Sequence, residues 1–254
     1  MKAFTPALLA AAAVASVALT PTAGRATSPD SVKPHLTVSL PSAGKAPYPV
    51  VFFLQGAGGG NHRANRWAQD FAAAGIASVA IDNAGLRGVS NIARVETSSI
   101  AGDYAAALTA LQGDKRLDLK RHAVMGFSKG ATAAMQSGPT LGGDQPKPRL
   151  VAAFYPGVYG DCSKNLPAGV KTVIFYGSAD QWGEYRGTRD ACRRLAQQDA
   201  SVAFHPVEGA HHGFDDAVTM DWTVEGRTYR SQSDPAARAL VKDALLPILK
   251  DALK

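Results

Sequence analysis

The chain has 254 residues, 46% of them hydrophobic and 19% charged, which is enough to bury one sizeable core, and α/β folds commonly use this length as a single domain. A formal charge of +6 is mild, and the basic residues are scattered with no aromatic-interleaved stripe, so nucleic-acid binding is not indicated. The two cysteines, Cys162 and Cys192, stand outside any C-x-x-C spacing, which argues against a zinc site.

Residues 1–26 carry Lys2, an alanine-rich apolar run from Ala7 to Leu19, then Pro21 and small residues around Gly24 and Ala26. This layout predicts a secretory signal peptide cleaved near Ala26. The apolar run is shorter than the ~20 residues of a spanning helix, so no stable membrane insertion is expected and the mature protein is expected to be secreted or periplasmic. In such a compartment Cys162 and Cys192 are expected to form a disulfide, with two separate buried thiols as the alternative.

Residues 27–47, with Pro29, Pro34, Pro41 and Pro47, read as an N-terminal linker enclosing one short strand, His35 to Leu40, and residues 48–254 as the core domain. Within it, apolar or β-branched runs predict strands at Tyr48–Leu54, Ile76–Ile81, His122–Met125, Leu150–Phe154, Thr172–Tyr176 and Val202–Pro206. Helical periodicity predicts helices over Arg66–Ala74, Ser99–Gln112, Ser128–Gln136 and Glu184–Gln198. This alternation points to a mostly parallel central sheet with helices on both faces. A last helix is expected to start at Ser233-Asp234-Pro235, a capping side chain followed by proline, and to dock a face containing Ala237, Leu240, Val241, Ala244, Leu245, Ile248 and Leu249, with a kink at Pro247.

The chemistry gathers where predicted strands end. Gly126-Phe127-Ser128-Lys129-Gly130 is a G-x-S-x-G element between a strand and a helix, the setting of a nucleophile elbow. A serine on so sharp a turn needs neighbours two residues away that have little or no side chain. The pattern is short, and its weight comes from that context. Asp180 follows the strand Thr172–Tyr176, and His212 follows Val202–Pro206, giving the order serine, acid, histidine. Asp180 also reads as a helix cap, and His211 competes with its neighbour as the base. The glycine-rich turn Gln55-Gly56-Ala57-Gly58-Gly59-Gly60 makes the Ala57 N–H one candidate oxyanion donor and the Lys129 N–H the other. No G-x-x-x-x-G-K-[ST] is present, and no cofactor or metal is expected. Trp67, Tyr155, Tyr159, Trp182 and Tyr185 near strand ends either line an acyl or alcohol pocket or simply pack.

The motifs Gly126–Gly130, Tyr176-Gly177-Ser178-Ala179-Asp180 and Ala210-His211-His212-Gly213-Phe214 give the chain a resemblance to the dienelactone hydrolase family of α/β-hydrolases, from about Tyr48 to Leu249. The resemblance implies an α/β-hydrolase with a sheet of about seven or eight strands and little or no lid. It favours His212, directly before Gly-Phe, as the base, and suggests Arg87 as a partner for a substrate carboxylate. Typical members carry cysteine at the position of Ser128 and glutamate near Gln55-Gly56-Ala57. The expected activity is therefore that of a more general serine esterase acting on a small-molecule or acyl ester. A peptidase, amidase or acyltransferase using the same residues, and a binding protein that kept only the fold, are the alternatives.

Overall fold

The computed structural model describes residues 27–157, 162 and 166–254; the expected signal peptide and Tyr159 lie outside them. Nine strands are present among these residues: β1 Leu36–Ser39, β2 Tyr48–Leu54, β3 Ala77–Ile81, β4 Leu117–Phe127, β5 Leu150–Phe154, β6 Lys171–Gly177, β7 Val202–Val207, β8 Met220–Val224 and β9 Arg227–Ser231. The α-helices are α1 Pro29–Val32, α2 His62–Ala73, α3 Thr97–Ala110, α4 Lys129–Met135, α5 Gln181–Tyr185, α6 Thr188–Gln198 and α7 Pro235–Ala252.

The first seven strands form one sheet in the order β1-β3-β2-β4-β5-β6-β7. All neighbours are parallel except β1, which runs antiparallel to β3 at the edge. A strand with partners on both sides and helices above and below cannot alternate polar and apolar residues. Val50–Leu54, Ala77–Ile81 and Leu150–Phe154 are accordingly buried at every position. The stretch expected as a linker contributes β1 to the sheet, and Val32 of α1 is fully buried.

The helices bury the faces their sequences prescribe. In α2 the buried residues Ala64, Trp67, Ala68 and Phe71 follow the i, i+3, i+4, i+7 spacing of one stripe. The α4 helix is buried from Gly130 to Met135 because it crosses the sheet behind β4, β2 and β5. In α7 the Asp234 carboxylate accepts the Ala237 N–H at 2.9 Å, and the buried row narrows to Ala237, Val241, Leu245 and Leu249. Leu240, expected on the docked face, is 61% exposed. The single helix expected over Glu184–Gln198 is two helices, because Gly187 adopts φ 66° between them.

Residues 220–231, where no strand is expected above, form the hairpin β8–β9. Its two-residue turn has positive φ at both Glu225 (53°) and Gly226 (75°), the twist that matches flanking strands. No helix among the described residues is long and apolar enough to cross a membrane.

Candidate active site

The carboxyl ends of β4, β5, β6 and β7 lie along one edge of the sheet, where ligand chemistry collects in parallel folds. Ser128, directly after β4, has φ 51° and ψ −114°, a conformation costly for any side chain. The flanking glycines permit it. A Cβ on Gly126 would lie 2.1 Å from the Gly130 carbonyl oxygen, and one on Gly130 would lie 2.3 Å from the carbonyl oxygens of both Leu54 and Gln55. The G-x-S-x-G pattern is therefore the condition for β4, α4 and the end of β2 to close on one another. The Ser128 N–H is tied to the Phe154 carbonyl at 2.9 Å, so the turn is held from both sides.

His212 reaches Ser128 from the loop after β7, with its Nε2 2.9 Å from Ser128 Oγ. Its Nδ1 lies 2.8 Å from Asp180 Oδ2. With Nδ1–H donating to the carboxylate, Nε2 carries the lone pair that faces the hydroxyl. Asp180 is fully buried, and its other oxygen accepts the Gly183 N–H at 3.0 Å as the cap of α5. The capping and orienting roles read from sequence are thus compatible, one oxygen serving each. His211 does not enter this chain, and among the described residues its buried Nδ1 has no hydrogen-bond partner. His205 stacks on Phe175 within the sheet, and His62 lies 2.8 Å from Asp216.

The turn after β2 approaches the same serine, since a Cβ on Gly56 would lie 3.8 Å from Ser128 Cβ. Among the described residues, neither the Ala57 nor the Lys129 backbone N–H donates to a protein acceptor. The Lys129 side chain turns away, its Nζ donating to the Ala93 carbonyl at 2.9 Å, and burial lowers its pKa. Gln55 is buried and ties the loop after β2 to the loop after β3. Its Nε2 donates to Asn61 Oδ1 at 2.8 Å, and its Oε1 accepts the Ala84 N–H at 3.2 Å. Arg87 is not available to a substrate carboxylate. Its guanidinium holds Asp103 through Nη1 at 2.6 Å and Nη2 at 3.0 Å, neutralising a carboxylate that is itself fully buried.

A second layer, invisible in the motifs, supports the histidine. Tyr155 follows β5 directly, has φ 39° and places its ring 4.6 Å from that of His212. Its hydroxyl donates to Asp215, which also accepts the Trp67 indole N–H at 2.7 Å. Both of these aromatic residues, foreseen as pocket or packing, are fully buried and pack. Burial pushes the Tyr155 phenol well above its ordinary pKa. Arg63 completes the cluster against Asp215 and Asp216 and lies over the rings of Phe127 and Tyr155. Burial disfavours its charge, yet the neighbouring groups carry its pKa above the ordinary value. The partners lie up to 153 residues apart, so no local pattern could announce them; only the paired acids Asp215-Asp216 beside His212 hint at a role. The hairpin braces the base as well, through a bridge between His212 and Ser231 and the Gln232 N–H on the His212 carbonyl at 3.0 Å.

Cys162 and Cys192 form a disulfide-bonded pair with Cα atoms 5.1 Å apart. No cluster of three or more His, Cys, Asp or Glu side chains that could hold a metal occurs among the described residues.

The sequence model of the dienelactone hydrolase family matches residues 37–251. Among solved structures, a candidate dienelactone hydrolase from Klebsiella pneumoniae aligns with TM-score 0.67 at 14% identity over 85% of this chain and 92% of its own. P91, a dienelactone hydrolase-like promiscuous phosphotriesterase from metagenomic libraries, gives 0.62 at 17% identity over 87% and 100%. A thermophilic esterase from Thermogutta terrifontis, with propionate bound, gives 0.60 at 18% identity over 84% and 89%. No curated protein matches the chain by sequence. At these identities the solved structures speak for the fold.

Proposed function

The chain belongs to the dienelactone hydrolase family, and from that premise we propose that it is an exported serine esterase working through Ser128, His212 and Asp180. One observation carries the reading. The Ser128 hydroxyl, the His212 imidazole and the Asp180 carboxylate form an unbroken hydrogen-bonded line of 2.9 and 2.8 Å at the carboxyl edge of the sheet. Export is supported by the layout of residues 1–26 and by the paired cysteines.

In this mechanism His212 Nε2 takes the Ser128 proton as Oγ attacks the ester carbonyl carbon. Asp180 stabilises the imidazolium that forms. The tetrahedral oxyanion accepts from the N–H groups of Ala57 and Lys129, which have no acceptor to give up among the described residues. The intermediate collapses, His212 protonates the leaving alkoxide, and a water activated by the same nitrogen then releases the acid.

The test is hydrolysis of a panel of short-chain esters and the matching amides by the wild-type protein and Ser128→Ala. Loss of that hydroxyl is expected to lower kcat on esters by roughly a thousandfold or more. Unchanged ester hydrolysis would refute the assignment, and faster turnover of amides than of esters would replace the esterase by an amidase.

A further inference from the structure

The esterase reading leaves one part of the site unused: a wall of aromatic rings beside His212 contributed by α5 and the hairpin β8–β9. Trp222 of β8 lies 5.5 Å from the His212 ring between centroids. It is 6.1 Å from Trp182 of α5 and 5.7 Å from Tyr229 of β9, and Trp182 meets Tyr229 edge to face at 4.8 Å. Unlike the core aromatics, both tryptophans are only half-buried. Tyr229, behind them, is 3% exposed and supplies their backing. The Arg186 guanidinium lies over Trp182 at 4.9 Å, which helps to hold that ring in place.

The wall also reaches the nucleophile. A Cβ built on Gly157 would lie 2.9 Å from Ser128 Oγ and 3.3 Å from Trp182 Nε1, so the space of about one methyl group separates the serine from the indole N–H. Among the described residues that N–H donates to no protein acceptor, whereas the buried Trp67 N–H is satisfied by Asp215. Glycine at 157 keeps the gap open.

The position of the wall decides which half of an ester it meets. The group that leaves must lie within reach of His212 Nε2 to be protonated, so the alcohol departs on the histidine side. Tyr155, fully buried, closes the inner face of that side, and the half-exposed Trp222 flanks it toward solvent. We propose that Trp222 and Trp182 form a leaving-group subsite, and that the substrates are esters of alcohols carrying an aromatic ring close to the ester oxygen. This deepens the esterase reading and rests on it. The reaction is balanced by water alone: the carbonyl carbon to alkoxide bond breaks, Ser128 Oγ bonds to that carbon, and the Ser128 proton passes through His212 to the departing aromatic alcohol. Water then replaces Ser128.

The test holds the acyl group constant and varies only the alcohol. Benzyl acetate and cyclohexylmethyl acetate have leaving groups of similar size and basicity, one aromatic and one saturated. The wild-type protein is expected to favour benzyl acetate in kcat/KM by roughly three- to tenfold, the scale of aromatic pairing beyond simple burial. Trp222→Ala is expected to bring that ratio near one, and Trp222→Phe to restore it. Ethyl benzoate, which carries its ring on the acyl side, should show no gain over ethyl cyclohexanecarboxylate. Phosphonylation by a fluorophosphonate, which expels fluoride, should proceed in both variants and shows that the nucleophile and fold persist. Labelled, ester-hydrolysing wild-type protein with no benzyl preference, or with its preference on the acyl side, would overturn the subsite while leaving the esterase reading intact. Absence of both labelling and hydrolysis would instead overturn the esterase reading.

Discussion

His122 should make the protein lose stability on mild acidification. It is fully buried at β4, where its Nδ1 meets the Leu119 carbonyl at 2.6 Å and its Nε2 meets the Tyr104 hydroxyl at 2.5 Å. A carbonyl can only accept, so the neutral ring donates from Nδ1 and accepts the tyrosine proton at Nε2. Protonation would place a charge in the core and a second donor against Tyr104. Burial accordingly lowers the His122 pKa from 6.5 to about 4. In the unfolded chain the ring titrates near the ordinary value, so between the two pKa values the unfolded state binds the extra proton. The stability linked to this site is present above pH 6.5 and is lost as pH falls toward 4. A shift of that size corresponds to about 3 kcal/mol in full, of which about 2 kcal/mol is lost between pH 7.5 and pH 5. The assay is urea unfolding of the wild-type protein and His122→Asn at these two pH values. Asn retains a donor toward Leu119 but does not titrate. It is expected to be less stable at pH 7.5, because Tyr104 loses its acceptor, yet to fall less steeply with acid. Equal losses in the two proteins would refute the reasoning.

Gly157→Ala adds a methyl 2.9 Å from Ser128 Oγ, so the hydroxyl must move off the His212 line. Its ester kcat/KM is expected to fall about a hundredfold, with the unfolding midpoint little changed, and full activity would contradict the stated gap. The Cys162–Cys192 link closes a segment of 30 residues, and reduction is expected to lower stability by about 3 to 4 kcal/mol in a comparison of urea midpoints with and without reductant. Identical midpoints would show that the pair contributes no such constraint.

How far these features were legible in the sequence depended on how local their physical cause is. The central strands were readable because parallel pairing on both sides forces continuous apolar runs such as Val50–Leu54. The turn at Ser128 was readable because its steric demand falls on two glycines within five residues. Asp180 and His212 each follow a strand in an order the topology can bring together, and the structure places His212 against Ser128 and Asp180 behind His212. In the hairpin, Met220, Trp222 and Val224 of β8 do alternate with Asp221 and Thr223, but the apolar face is only half-buried at best, and the turn begins with Glu225 where Asn or Asp would have announced it. Arg87 was misread because its partner Asp103 lies on α3, inside the core. The support behind His212 unites Arg63 and Trp67 of α2 with Tyr155 and Asp215, from three separate stretches of chain, and such a contact has no spacing to read.

The central claim is that Ser128 is a nucleophile activated by His212. The most direct measurement is mass-spectrometric mapping of the protein after reaction with paraoxon, whose phosphorus an activated serine attacks with loss of p-nitrophenolate. The account predicts a single diethylphosphoryl group on Ser128 in the folded protein, absent in Ser128→Ala and strongly slowed in His212→Ala. An unmodified Ser128, or modification that persists unchanged without His212, would contradict it.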